Sequence, residues 1–432
     1  MKCGFAKVDI TPALGAHLAG HPAVRPCDAI ADPLYIRALS FEEGEGVVFL
    51  VFDVMSLVTE TAVQIRHAVA QALGWRMDQV NIAATHTHYA PHTRCGENAQ
   101  TDAFVLSLPQ KAVEAAKAAL ADAEEAEFRF AAGTVPGIAF TRRYRMKDGS
   151  VRTNPGRRNP DILEPVSPAD ETVQLLRVVR QKGDILLVGF QVHPDVRRGL
   201  NVSADYPGVV CKTLENALPG THTIYFNGPC GDLNHIDVHC PVWDKNEGQE
   251  QIDHMGRSIA GAVLALYTKA RPVESGAVRT AQTHVKLPEK QFKPENLPMA
   301  QDYVRWHEAG EKEKIPYTGM EYITAVIEAR QIIWRSQGGC HDPAPVCAAT
   351  MGDVAVVTIP GEGFCEMGRQ LRKRSGKTAT FVLSTANAYE GYFPTRDAFE
   401  VGGYEKQTSH FLSGVAETLV DTGIALLRQL ED

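Results

Sequence analysis

The run Val47-Val48-Phe49-Leu50-Val51-Phe52-Asp53-Val54 holds one polar residue in eight. An extended segment of that kind is stable only when both of its faces are covered. The chain must therefore build a sheet inside layers rather than one that faces water. Helical spacing follows directly over residues 59–73, where Ala62, Ile65, Ala68, Val69 and Leu73 share a face and Gly74 supplies a stop. Strand, helix and strand then alternate, which places the fold in the α/β class.

The remaining pattern extends this rhythm. The N-terminal residues 2–10 alternate like a strand, and 34–41 reads as another. An alanine-rich helix is expected at about 108–121. Residues 173–179 and 184–192 form a hairpin around Lys182-Gly183-Asp184, and 223–226 is a short strand. A helix at 252–269, a strand at 276–286 and two helices at about 299–311 and 320–335, forming a helical excursion over about 299–335, come next. Strands at 354–359 and 378–385 and helices at 365–374 and 414–430 complete the series. No second autonomous core or internal repeat shows, so one domain is expected over residues 1–432.

Charge and cysteine usage exclude several functions. A net charge of −8 and a pI near 6.0 repel nucleic acid and anionic membrane. The nine cysteines are scattered without a Cys-x-x-Cys pair, which fits neither a disulfide framework nor a zinc ribbon. No apolar signal core precedes the first strand, and no run reaches the 18 residues of a membrane helix. A cytoplasmic protein without stable membrane association is expected, acting on a small molecule; its oligomeric state is open.

The chemistry gathers where apolar strands end. In Asn81-Ile82-Ala83-Ala84-Thr85-His86-Thr87-His88 the histidines begin where the apolar run stops, and in extended backbone His86 and His88 would share a face. His193 follows 184–192 in the same way, and Glu362 follows 354–359 in Pro360-Gly361-Glu362. Two histidines and a carboxylate at strand ends match the ligand set of a catalytic zinc with open positions. Asp53 also ends a strand, where it either caps a turn or supports the site. His235, His239 and Cys240 form a rival cluster, as do Cys340, His341 and Cys347, but neither has the spacing of a zinc module. Residues 141–161 carry Arg142, Arg143, Arg145, Lys147, Arg152, Arg157 and Arg158 in a stretch rich in Gly, Asn and Pro. This reads as a basic loop, either solvated or a cationic wall for a substrate carboxylate or phosphate.

Several segments, in order, resemble the neutral/alkaline non-lysosomal ceramidase family. Gly4-Phe5-Ala6-Lys7-Val8-Asp9-Ile10-Thr11 looks like its start, and Thr85-His86-Thr87-His88 is similar to its histidine motif. Pro360-Gly361-Glu362 with Met367-Gly368-Arg369, Asn387-Ala388-Tyr389-Glu390-Gly391-Tyr392 and Gly403-Tyr404-Glu405 also resemble family segments. The resemblance implies mixed β-sheets packed with flanking helices, as in the ceramidase catalytic domain. It implies one zinc per chain, held by His86, His193, Glu362 and Tyr392, with His88, Arg142 (beside Arg143) and Tyr404 around the scissile carbonyl. It further implies hydrolysis of an amide by a metal-bound hydroxide. One of His88, Arg142 and Tyr404, or Glu362 if it is not bound tightly, then passes the proton to the leaving amine, and His88 is favoured because a histidine near its ordinary pKa can do so at pH 7.

The chain also departs from the family. A member without a secretion signal and without the C-terminal β-sandwich domain is expected, and Gly231-Asp232-Leu233-Asn234-His235 stands where the family has Gly-Asp-Val-Ser-Pro. A soluble and anionic N-acyl substrate is expected rather than ceramide. The alternatives are an ester, lactone or glycosidic bond at the same metal, or a non-catalytic binding protein stabilised by zinc. No phosphate-binding glycine loop and no Gly-x-Ser-x-Gly elbow is present.

Overall fold

The computed structural model describes residues 1–241, 244 and 246–431. The strand Glu45–Phe52 is buried from Gly46 onward on both faces, and the two faces serve different layers. Val47, Phe49 and Val51 point into a core shared by three sheets. Val48, Leu50 and Phe52 point the other way, against the helices Thr59–Leu73 and Ala99–Asp122.

Among the described residues, the three larger sheets follow one plan. The first is ordered Val80–Ala84, Glu45–Phe52, Tyr35–Glu43, Lys2–Asp9 and Glu124–Glu125. The second is ordered His222–Asn227, Ile185–Phe190, Thr172–Val179, Glu127–Thr134 and Arg271–Val273, and the third Val278–Val285, Ala344–Met351, Val354–Thr358 and Ala379–Leu383. In each, three strands pair antiparallel in succession, a helix crosses over, and a fourth strand pairs parallel to the third. The crossover helices are Thr59–Leu73, Asp205–Ala217 and Cys365–Arg374; Ala99–Asp122, Gln249–Tyr267 and Val415–Gln429 then pack beside them. The sequence shows no internal repeat because what recurs is alternating burial, and many side chains satisfy that equally.

The inner faces of all three sheets meet in one core. A chain of aromatic rings crosses it: Phe41 lies 6.2 Å from Phe49 and 5.7 Å from Phe128, and Phe226 lies 5.8 Å from Phe49 and 6.2 Å from Phe381. Each outer face is covered by its own pair of helices. The expected helical excursion is present as Leu297–Glu308 packed on Gly319–Ser336, with a small core of its own.

Several expectations are corrected. The helix expected at 108–121 begins at Ala99, where the Asn98 side chain accepts from Thr101 N at 2.9 Å, and it continues through Pro109. The basic stretch is not a loop throughout: Arg143–Met146, Val151–Thr153 and Ile162–Pro165 pair as a small sheet. The apolar pattern singles out no element over Glu127–Thr134, Asp205–Ala217 or Ala344–Met351, yet the first and last are sheet strands and the second is a crossover helix. No helix among the described residues is long and apolar enough to cross a membrane.

Candidate metal centre

Each of the three sheets delivers one side chain to a single point beyond its strand ends. His86 follows Val80–Ala84, His193 follows Ile185–Phe190, and Glu362 follows Val354–Thr358. This is the carboxyl end of the strands, where α/β sheets place their ligands. The expected reason for pairing His86 with His88 is nevertheless corrected. The chain leaves extended conformation after Ala84, with Thr85 N donating to Phe52 O at 2.8 Å and His86 N to Val54 O at 2.9 Å. His86 sits at φ 74°, a left-handed conformation that costs a non-glycine residue about 1–2 kcal/mol. The turn, not strand alternation, brings its ring 5.1 Å from that of His88.

Both principal imidazoles are fixed through Nδ1. That of His86 donates to Met55 O at 2.7 Å, and that of His193 to Cys230 O at 2.9 Å and Leu233 O at 3.0 Å. A carbonyl only accepts, so each Nδ1 carries the hydrogen and each Nε2 is left with its lone pair. The two Nε2 atoms face each other at 3.3 Å. Glu362 Oε2 lies 3.1 Å from His193 Nε2 and 3.5 Å from His86 Nε2, and has no hydrogen-bond partner although it is buried. Two lone pairs and a carboxylate oxygen converging away from water repel one another unless a cation or a proton lies among them. The donor set, two imidazoles and a carboxylate, suits zinc. His88 adds a third imidazole: ligand atoms of His86, His88 and His193 all lie within 4.8 Å of one another and could hold a metal ion.

The electrostatics agree. Burial alone would raise the Glu362 pKa, but the two imidazoles outweigh it and hold the carboxyl well below its ordinary range. Burial lowers an imidazole's pKa, yet Glu362 and the Met55 carbonyl raise that of His86; His193 is lowered by burial and then by Arg142. His88 departs from expectation. Burial and the neighbouring His86 push it down to about 3, so it is a neutral imidazole at pH 7 and not one near its ordinary value.

The tyrosines and the arginine stand around this point. Glu362 and Tyr392 are direct neighbours in a short parallel pairing, and the Tyr392 ring lies 5.5 Å from that of Tyr404. The Arg142 guanidinium lies 5.3 Å from the Tyr392 ring and 5.7 Å from the Tyr404 ring. Arg143 turns away, over Phe364 and onto Gly402 O at 2.6 Å. Tyr404 is pushed up to about 12 by burial, which keeps its hydroxyl protonated as a donor.

Three supporting residues lie in segments the sequence singles out, without a role that spacing reveals. Tyr389 donates to Glu362 Oε1 at 2.5 Å, occupying the other carboxylate oxygen. Glu405 is fully buried and binds Arg142 Nε at 2.8 Å and Arg143 Nε at 3.3 Å. Asp195 lies 3.2 Å from His235 Nδ1. Glu405 also corrects the cationic wall, since it is shared by the two buried arginines and offsets one of their two charges, while Arg145 pairs with Glu164 and Arg152 with Asp148. Asp53 neither caps the turn nor reaches the site; it pairs with Arg37 at 2.8 Å and accepts from Tyr35 N. The rival clusters do not form among the described residues: His341 pairs with Glu390, and Cys347 lies among Gln282, Arg66 and Asn387.

The architecture is that of known ceramidases. The crystal structure of neutral ceramidase from Pseudomonas aeruginosa superposes with a TM-score of 0.74 at 17% identity, covering 99% of this chain and 75% of that one. A ceramidase complexed with C2 gives 0.73 at 14% identity, covering 100% of this chain and 75% of that one. No protein-family model matches the sequence, and neither does any curated protein. At these identities the likeness is one of fold, and it agrees with the mixed-sheet architecture implied by the sequence segments.

Proposed function

We propose that the chain is a zinc-dependent hydrolase of N-acyl amide bonds, with the metal held by His86, His193, Glu362 and Tyr392. The observation that carries this reading is the convergence of two Nε2 lone pairs and an unpartnered carboxylate oxygen within 3.5 Å. The shared fold with proteins named ceramidases supports the amide as the bond broken. When bound, zinc supplies Lewis acidity, which acidifies water and polarises an acyl oxygen.

The chain's own residues do the rest. Arg142, held by Glu405 and by Gly231 O at 2.6 Å, presents a fixed positive charge beside the acyl oxygen. The protonated Tyr404 hydroxyl donates to the negative charge that develops there, a contribution typically of ~3 kcal/mol. His88 Nε2 is buried without a partner, and the ring is neutral at rest. It takes the proton released by the attacking water and returns it to the leaving nitrogen. Tyr389 and the Nδ1 partners hold the carboxylate and imidazoles in place. The substrate is a soluble N-acyl compound, and the enzyme acts in the cytoplasm.

Elemental mass spectrometry of the wild type, His86→Ala and His193→Ala tests the reading. About one zinc per wild-type chain, lost in both variants, together with turnover of amides in a panel of paired amide and ester substrates, is the expected result. Stoichiometric metal retained in both variants, or cleavage of esters alone, overturns it.

A further inference from the structure

A cavity beside the candidate metal centre is lined in part by Arg142. It has a volume of about 180 Å³ and is lined by Arg142, Asn154, Arg198, Asn234, His235 and Glu247, among others. The pairing of Leu233–Asn234 with Phe140–Thr141 builds it, because this ladder sets residues 233–235 beside Arg142. The same segment fixes His193 through Leu233 O, so the cavity and the centre are mechanically joined.

The lining mixes apolar side chains such as Ile236 and Val238 with arginine, asparagine and histidine donors. His235 is 2% exposed, and its Nε2 has no hydrogen-bond partner among the described residues. Only the Asp195 carboxylate, 3.2 Å from Nδ1, lies close to it. A buried imidazole left in that state costs about 1–3 kcal/mol unless something enters the cavity to pair with it. Asn154 stands at φ 50°, held by its N–H to Arg142 O at 2.8 Å, and its Oδ1 accepts from Asn234 Nδ2 at 2.6 Å. Strain at a non-glycine residue tends to persist where a site needs it.

The charges facing the cavity can be paired off. Glu247 is bound by Arg198, Glu405 lies behind Arg142, and Asp195 lies beside His235. Arg142, Arg198 and His235 each already face a carboxylate, the Glu247 carboxylate is bound, and among the described lining residues the buried His235 Nε2 is left for an incoming group. The volume is below the roughly 300 Å³ at which pockets begin to enclose drug-sized ligands. A long hydrocarbon chain exceeds its size, whereas a small anion fits beside the donors.

We infer that this cavity is a specificity subsite that binds a carboxylate on the non-reacting end of the substrate, next to the bond cleaved at the metal centre. The substrate class is then an amide that carries a carboxylate within a few bonds of the scissile carbonyl. The inference rests on the amide-hydrolase reading only for what the carboxylate is attached to.

Calorimetric titration with glutarate, against its neutral twin glutaramide, tests the subsite without any turnover. It is run on the purified protein before and after chelation, so that direct binding of a carboxylate to metal is told apart from binding in the cavity. Binding of glutarate but not glutaramide is expected in both preparations, weakened at least tenfold in His235→Leu and in Arg198→Gln. Arg198 is an exposed side chain, so its variant keeps the test valid if His235→Leu does not fold. Absence of glutarate binding, binding that vanishes with the metal, or binding unchanged in the variants overturns the inference. The expected pattern in a protein that cleaves no amide would leave the subsite standing and remove only the hydrolase reading.

Discussion

The unusual residue-level fact is that His86 and His193 direct unprotonated nitrogens at each other across 3.3 Å, each committed by a carbonyl on its far side. Neither ring can turn to relieve the contact without leaving a buried carbonyl unpaired, so the arrangement is built for a cation. His88 is close enough to be mistaken for a ligand, and metal content separates the two roles. His88→Ala is expected to retain the metal while kcat falls by about 10²–10⁴-fold, the range for loss of a positioned proton-transfer group. Loss of metal in that variant would make His88 a ligand instead. The strand-end histidines and Glu362 were legible in the sequence because a titratable group at the end of a buried apolar run is costly to desolvate and persists there when it has a partner to meet. Glu405 was not, since its role depends on a partner 263 positions away, Arg142, that no local spacing encodes.

At the scale of elements, the helix Gly319–Ser336 is docked through histidine. His410 lies between Gln331, 3.1 Å from Nε2, and Arg335, 3.2 Å from Nδ1, with the His341 ring 4.5 Å away. Burial, then His341, Arg335 and Lys290, push its pKa down to about 3. A folded value below the unfolded one of about 6.5 means that the unfolded chain takes up the proton first as pH falls. The stability His410 contributes is present above about pH 6.5 and is lost progressively toward pH 3, at about 1.4 kcal/mol per pH unit. Between pH 7 and pH 5 about 2 kcal/mol should go, borne mainly by the helical hairpin, which has its own small core. Hydrogen exchange corrected for intrinsic rates should show Gly319–Ser336 opening more readily at pH 5 while Glu45–Phe52 does not. His410→Gln should abolish the difference, and equal protection of wild type at both pH values would refute the assignment. The hairpin was legible in its helical spacing. The small sheet of the basic stretch was not, because its strands are three or four residues long and carry charge where a strand pattern would show apolar alternation.

For the whole molecule, the three sheets meet twice: in the shared core at their inner faces and at their strand ends, where His86, His193 and Glu362 converge. The core link is strong and always present. Phe226 touches the rings of both Phe49 and Phe381, one from each of the other sheets, and Phe226→Ala should cost about 3–5 kcal/mol. Because that core belongs to no sheet alone, unfolding followed by circular dichroism and by tryptophan fluorescence should coincide in a single transition, in the variant as in the wild type. The metal link is conditional. An ion bound by residues that follow all three sheets stabilises only the state in which the three are assembled, by about 4 kcal/mol at a thousandfold excess over Kd. Chelation should therefore lower Tm without splitting the transition, and added zinc should restore it in the wild type and in Phe226→Ala but in neither His86→Ala nor His193→Ala. A Tm indifferent to chelation would mean that the converging nitrogens and carboxylate are held apart by the fold without an ion. Separate transitions for the two signals would mean that the sheets are independent units, and that the metal centre joins domains rather than closing one end of a single core.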